Sequence, residues 1–230
     1  MPTLYKYILL TALLCAAFLH RADAQESETG NWFIYVGNQS FQKRWNWWNE
    51  VQYRNYNFAG DLQQLLLRTG IGYNLSENNN NLLLGYAYIY GRQYITDDSV
   101  STSEEHRLFQ QLITRQQFGR VYLQHRYRLE ERNIQDDPSL RFRYLLGINV
   151  PLNKKTMAQG AVYASVYNEV FLNTEAPNFD RNRLYGAMGY VITPYVRVEA
   201  GFMSQMLSTS HRNQFQIAVF NNIPFRQPQE

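Results

Sequence analysis

The fold of this chain is decided by residues 119–132, which read GRVYLQHRYRLEER. One parity of this stretch carries Val, Leu, His, Tyr and Leu, and the other carries Tyr, Gln, Arg, Arg, Glu and Arg. A β-strand places the two parities on opposite faces. In a soluble sheet the apolar parity would meet a protein core, whereas in an outer-membrane barrel it would meet lipid and leave the arginines in a polar lumen.

The same alternation recurs along the chain from residue 31 onward, in segments of about ten residues separated by turn-forming clusters. The pattern predicts an all-β meander, and no stretch has convincing helical periodicity. Segment 104–117 is the least decided, because Leu108 and Leu112 oppose Phe109 and Ile113. The eleven segments are 32–36, 45–57, 62–73, 82–92, 104–117, 119–132, 140–150, 159–172, 180–192, 195–202 and 213–220.

The beginning of the chain predicts export. Lys6 supplies a positively charged n-region, residues 7–19 form an apolar stretch without charge, and Ala22-Asp23-Ala24 matches an A-x-A cleavage site. We therefore expect a cleaved secretory signal peptide over residues 1–24 and a single barrel domain over 25–230. Because the only cysteine, Cys15, lies inside this leader, we expect no disulfide and no thiolate site in the mature chain.

Composition favours a β-rich protein at an interface. Aromatic residues make up 15% of the chain, which contains 18 tyrosines, and the formal net charge is +3. The arginines alternate with apolar residues along strands and do not cluster in a basic tail or helix. We therefore expect no nucleic-acid partner, and favour acidic groups such as lipopolysaccharide phosphates.

The polar parity of the segments predicts the face that lines a lumen. It is dominated by arginine with occasional glutamate, a combination that a narrow barrel can satisfy through bidentate ion pairs. The alternative is a soluble periplasmic β-sandwich or a lipocalin-like barrel. The predicted lumen-lining residues are Glu50, Arg54, Arg68, Arg126, Arg128, Glu130, Arg132, Arg141, Arg143, Arg181, Arg183, Arg197 and Glu199.

Aromatic residues near segment ends predict the girdles that flank an apolar band in membrane barrels. These residues are Trp32, Trp45, Trp47, Tyr53, Tyr73, Tyr144 and Tyr190. The longer connections are predicted at residues 96–103, 133–139 and 173–180. Single-chain barrels of this class have an even number of strands with both termini on the periplasmic side, so ten or twelve strands are expected, with twelve favoured on chain length.

Five segments carry a resemblance to a known family: residues 30–33, 50–54, 66–73, 105–111 and 126–132. With these segments, the chain resembles an uncharacterised Gram-negative outer-membrane barrel family, known only as a domain of unknown function. The resemblance covers essentially the whole mature chain. It implies an all-β, single closed antiparallel transmembrane barrel of about 10–12 strands in the outer membrane, without an established activity.

The sequence contains no catalytic or metal-binding constellation, and we expect no enzyme activity, no cofactor and no bound metal. The histidines after the leader are His106, His125 and His211, and none has a serine at a spacing typical of a hydrolase. An outer-membrane lipid hydrolase is the remote alternative. The acidic pairs at 97–98, 104–105 and 136–137 are typical of solvated loops rather than Ca²⁺ sites.

Two functions of different classes remain open. One is a narrow channel or transport protein for small anionic solutes of unknown identity. The other is a structural or interaction barrel plugged by its own Arg/Glu pairs, with Glu50, Glu130, Glu169 and Glu199 as acceptors, which contacts partners or lipopolysaccharide through its loops. Both imply outer-membrane lipid, periplasmic chaperones and the barrel-assembly machinery as partners.

Overall fold

The computed structural model describes residues 29–57, 60–76, 79–96 and 99–225, so the predicted leader lies outside the described residues. In these ranges no helix is long and apolar enough to cross a membrane. The strands are β1 (Gly30–Ser40), β2 (Trp45–Asn55), β3 (Leu62–Asn74), β4 (Asn80–Thr96), β5 (Ser99–Phe118), β6 (Val121–Ile134), β7 (Asp137–Pro151), β8 (Val162–Asn173), β9 (Phe179–Thr193), β10 (Val196–Leu207) and β11 (His211–Asn221).

The strands form one closed barrel, which confirms the predicted fold class. Each strand pairs antiparallel with the next along the chain, and β1 pairs with β11 in parallel to close the sheet. All eleven predicted segments are strands, a number within the expected range of about 10–12, but the count is odd rather than even and the closing pair is parallel. Because every short connection reverses the chain, an odd number leaves β1 and β11 running the same way. The start of β1 and the end of β11 therefore lie at opposite ends, contrary to the expected shared side.

The two ends of the barrel differ in charge. Among the described residues of the connections that follow odd-numbered strands there is no Asp or Glu, and we call their cations the basic rim: Lys43, Arg44, Arg120, Lys154 and Lys155. Among the described residues of the connections that follow even-numbered strands there is no Lys or Arg, and we call their acids the acidic rim: Asp61, Asp136 and Glu175. The described residues of the connections are thus basic at one end of the barrel and acidic at the other.

Two of the predicted loops are mostly strand. The connection between β6 and β7 is a tight turn at Gln135 and Asp136, whose φ angles are +48° and +69°, and Pro138 lies opposite Asn133 in the ladder. Two consecutive positive φ values match the twist of a two-residue hairpin, so no longer loop is needed. Most of 96–103 also belongs to β4 and β5, with residues 97–98 outside the described part. Only the third, between Asn173 and Phe179, matches the prediction.

Alternation along each strand separates an apolar outer face from an inner face rich in charge. On β10, Phe202 points outward and is 64% exposed, whereas its neighbour Met203 is fully buried. Trp45 and Trp47 are exposed on the outer face, as the girdle prediction requires. Trp32 corrects that prediction: it is 3% exposed and lies inside, because it sits opposite the inward-facing Arg54 in the ladder with β2.

Strand β5 resolves the segment that the sequence left undecided. Phe109 and Ile113 face the interior on the same parity as Glu105 and Arg107, whereas Leu108 is exposed outside. The inward aromatic has space because residue 85 on the paired strand is glycine, where a Cβ would overlap the Phe109 ring. Part of the interior is therefore an apolar cluster, composed of Trp48, Leu66, Leu83, Ala87, Ile89 and Phe109.

Candidate functional site: the arginine–glutamate network

The predicted lumen-lining residues lie on the inner face of the barrel wall. Nine of them are buried: Glu50, Arg54, Arg68, Arg128, Glu130, Arg141, Arg143, Arg183 and Glu199. The other four, Arg126, Arg132, Arg181 and Arg197, are partly buried, with 15–30% of the side chain exposed. Strand alternation places them there, and the tilt and closure of the sheet bring residues of distant strands into contact.

Glu130 on β6 is the acceptor with the most ion-pair contacts. Its carboxylate lies 2.6 Å from Arg141 Nη2 and 2.6 Å from Arg143 Nη1, on the neighbouring strand. Arg107 on the other neighbouring strand lies at 3.4 Å, and Arg128 on the same strand at 3.6 Å. Four guanidinium groups thus share one carboxylate that is 1% exposed. Such a cluster is stable only while its central charge is present.

Glu169 on β8 is a second shared acceptor. Arg126 Nη2 and Arg143 Nη2 donate to its Oε1 at 2.7 Å and 2.6 Å, and Arg183 lies 3.9 Å away. Arg143 on β7 binds both Glu169 and Glu130, so it links the two acceptors on the strands on either side of it. The network is therefore continuous from β5 to β9.

Three further carboxylates have fewer ion-pair partners. Glu50 accepts from Arg68 at 2.5 Å, and Glu199 accepts from the Tyr163 hydroxyl at 2.8 Å. Glu105 accepts from Arg107 at 2.7 Å and from Arg132 at 2.6 Å. The sequence analysis missed Glu105 and Arg107 as interior residues, although their shared parity with Gln111 was a usable signal.

The network contains more cations than anions. Ion pairs join ten arginines to six carboxylates among the described residues. Arg54 adds a further buried cation, which bonds to Gln52 and Gln64 and has no carboxylate within ion-pair distance in the described part of the chain. The interior therefore has a net positive charge.

Aromatic rings offset part of this excess. The Arg54 guanidinium lies 3.7 Å from the ring centre of Trp32, and Arg143 and Arg183 lie 4.4 Å and 4.6 Å from that of Phe171. Contacts of this kind stabilise a cation by about 0.5–2 kcal/mol, most where water is excluded. Neither ring was predicted as an interior group, because Trp32 was assigned to the outer girdle and Phe171 was assigned to neither face.

Two cavities remain inside the barrel. The larger, of about 190 Å³, is lined mainly by residues in the half of the barrel nearer the basic rim, and the smaller, of about 70 Å³, lies towards the acidic rim. Arg68, Arg143 and Arg183 line both cavities and so lie between them. Ion pairs and ring contacts hold these three side chains in place.

Comparison with known proteins gives a family. Residues 29–216 match the model of the family described as "Protein of unknown function (DUF2490)". The chain belongs to this family. No curated protein and no solved structure matches the chain.

The family description names no activity, so the chemistry of this DUF2490 barrel must come from its residues. His125 Nδ1 lies 2.9 Å from the Tyr144 hydroxyl on the outer face, and His106 contacts Tyr86 there. Within the described ranges no hydrogen bond joins a histidine to a serine, and no group of three His, Cys, Asp or Glu side chains is arranged to hold a metal ion. The charged interior is the chemical feature that distinguishes the molecule.

Proposed function

We propose that this chain is an outer-membrane β-barrel of a Gram-negative bacterium, closed by its own arginine–glutamate network. The observation that carries the proposal is the polarity of the wall, with large apolar side chains exposed outside and paired charges buried inside. Phe202, Leu84 and Leu108, on three different strands, are each more than half exposed. A soluble protein rarely exposes an apolar surface that continues around the whole molecule, whereas a membrane barrel requires one.

Export follows from the same proposal. Residues 1–24 act as the leader, and periplasmic chaperones keep the chain unfolded until the barrel-assembly machinery inserts it. A mature chain with a continuous apolar outer face would aggregate in the periplasm without such partners. No enzymatic role is included, because the interior offers ion pairs and no activated nucleophile.

The test of the membrane assignment is electrophoretic mobility. We expect the mature chain, refolded in detergent, to migrate differently in sodium dodecyl sulfate before and after boiling, as closed membrane barrels do. We also expect it to remain with the membrane after alkaline carbonate extraction. A mature protein that stays soluble and monomeric without detergent would contradict the proposal.

The basic rim supports a role in contact with lipopolysaccharide. Its cations, among them Lys43, Lys154 and Lys155, lie at one end of the barrel, where they would meet lipid phosphates. We place the proposed contact at this rim, whereas the loops chosen from the sequence lie at the acidic end. We expect Lys43→Gln/Lys154→Gln/Lys155→Gln to weaken binding to vesicles containing bisphosphorylated lipid A, and Asp61→Asn/Glu175→Gln to leave it unchanged. Equal binding by the triple variant and the unmodified protein would contradict this role.

A narrow channel for small anionic solutes is the second candidate. The excess of ten paired arginines over six carboxylates favours anions over cations in the bore. Conduction would require Arg68, Arg143 and Arg183 to move away from the axis. Planar-bilayer recordings separate the candidates: anion-selective single-channel steps support the channel, and their absence with and without anionic solutes supports the closed barrel.

A further inference from the structure

The larger cavity combines three properties of a ligand site. Its lining has spare hydrogen-bond donors, its charge is positive, and it lies near the basic rim. The volume of about 190 Å³ would hold about six water molecules, at about 30 Å³ each, or one small organic molecule.

Donors without partners belong to side chains that line this cavity. The indole N–H of Trp32 and the Nε–H groups of Arg68 and Arg126 have no hydrogen-bond partner among the described residues, and all three side chains line the cavity. Trp32 and Arg68 are 3% and 7% exposed, so leaving these donors unpaired is unfavourable. A ligand with several acceptor atoms would pair with donors of these side chains.

The charge of the lining selects an anion. Five arginines and three glutamates line the cavity. The glutamates already accept hydrogen bonds from protein groups: Glu50 from Arg68, Glu169 from Arg143, and Glu199 from Tyr163. The unused hydrogen-bonding capacity is therefore mostly on donors, and the net charge of the lining is positive.

The same lining includes apolar surface. Ile34, Val36, Leu145 and Phe220 contribute to it. A ligand with a charged head and a compact apolar body would contact both parts, as small-molecule sites usually combine apolar walls with a few placed polar groups.

The cavity extends towards the basic rim. Asn149 and Arg197 line the cavity and lie within two residues of the strand ends at that rim. Lysines and arginines around an entrance raise the local concentration of anions. The smaller cavity at the other end is lined by eight arginines but has only about 70 Å³, too little for an organic anion with an apolar body.

We propose that the larger cavity is a binding site for a small organic anion, whose carboxylate or phosphate head accepts hydrogen bonds from Trp32, Arg68 and Arg126. This proposal adds a ligand site to the closed outer-membrane barrel proposed above, and it depends only on the barrel being folded. It requires no passage of the anion through the molecule.

The experiment is isothermal titration calorimetry of the refolded mature protein in detergent, with empty micelles as the blank. The probes are benzoate, benzyl alcohol and benzylamine, which have nearly the same size and shape but different charge. We expect benzoate to bind at least tenfold more tightly than either of the others. Equal affinity for benzyl alcohol and benzoate, or no benzoate binding, would overturn the site.

Two variant pairs locate the binding. Arg126→Gln leaves Glu169 paired with Arg143, and Arg132→Gln is its matched control on the same strand and face, because Glu105 stays paired with Arg107. Trp32→Phe removes the indole N–H and keeps an aromatic ring, and Trp48→Phe is the control in the apolar cluster, because Trp48 is not part of the cavity lining.

We expect Arg126→Gln to weaken benzoate binding by about tenfold or more and Trp32→Phe by about threefold, with both controls within about twofold of the unmodified protein. Losses of the same size in the controls would overturn the assignment. Heat-modifiable mobility of each variant is measured in parallel, so loss of binding is scored only in folded protein. If the protein folds as a membrane barrel but does not bind benzoate, the anion site is overturned and the outer-membrane barrel stands. If the protein binds benzoate selectively but is soluble without detergent, the anion site stands and the outer-membrane barrel is overturned.

Discussion

The two faces of the barrel wall differ in what they require of their surroundings. On β6 the inner face carries Arg126, Arg128 and Glu130, and the outer face carries Tyr127 and Leu129. Each of these inner charges forms an ion pair with another side chain of the protein, whereas each outer side chain needs an apolar solvent. The inner charges of β6 are therefore paired within the protein, whereas its outer face needs a partner, which we propose is lipid.

Removal of the central acceptor should give the largest effect on the inner face. In Glu130→Gln, Arg107, Arg128, Arg141 and Arg143 lose a shared buried carboxylate. We expect the free energy of unfolding to fall by about 3–5 kcal/mol, the cost of leaving a buried charge uncompensated. The measurement is urea unfolding of the refolded barrel, followed by tryptophan fluorescence.

The control for this variant is Glu131→Gln, one residue along the strand on the outer face. Because Glu131 is exposed and contacts only Gln110 among the described hydrogen bonds, we expect a change within about 0.5 kcal/mol. Equal losses in the two variants would show that the inner and outer faces do not differ in this way.

A charge placed on the outer face should give the next largest effect. Phe202 lies in the middle of β10 and Phe118 is the last residue of β5, and they are 64% and 63% exposed. In a bilayer, Phe202→Arg should cost about 2–4 kcal/mol and Phe118→Arg about 0–1 kcal/mol, because the cost of an arginine falls from the midplane to the interface. The measurement is reversible unfolding in lipid vesicles. Similar small costs for both substitutions would indicate that water covers the outer face.

Two glycines on β9 give a smaller contrast between the faces. A Cβ at the inward Gly189 would overlap the ring of Tyr163, whereas at the outward Gly186 it would have no atom within 4 Å. We expect Gly189→Ala to destabilise the barrel by about 1–3 kcal/mol through overpacking. Gly186→Ala should be neutral or stabilising by up to about 1 kcal/mol, because alanine is favoured over glycine within a strand. Thermal unfolding compares the two, and equal destabilisation would contradict the packing described for the inner face.

Local alternation made most of the fold predictable. The parity of Arg126, Arg128 and Glu130 identifies one face from the sequence alone, and the same holds for Arg141 and Arg143. Turn-forming residues marked all eleven strands but did not fix where each strand ends. The hairpin at Gln135 and Asp136 was predicted as a longer loop, because proline and acidic residues occur both in tight hairpins and in longer loops.

The remainder depends on contacts between distant residues. The parallel pairing of β1 with β11 joins the first and last strands, and no local pattern specifies it. No local pattern specifies the cavity either, because its lining residues Trp32 and Arg126 come from strands on different sides of the barrel. Trp32 was assigned outward because its residue type suits a membrane interface, and its cation contact with Arg54 exists only in the folded barrel.

The most direct test of a barrel wall with an apolar outer face and a charged inner face is a spin-label measurement on β10. The only cysteine, Cys15, lies in the predicted leader, so single labels can be placed at Ala200, Phe202 and Ser204 on the outer face and at Ser208 in the following connection. In lipid vesicles we predict that the three strand labels collide more with oxygen than with a water-soluble nickel chelate, and that the label at residue 208 does the opposite. Nickel accessibility at residue 202 equal to that at residue 208 would contradict the account.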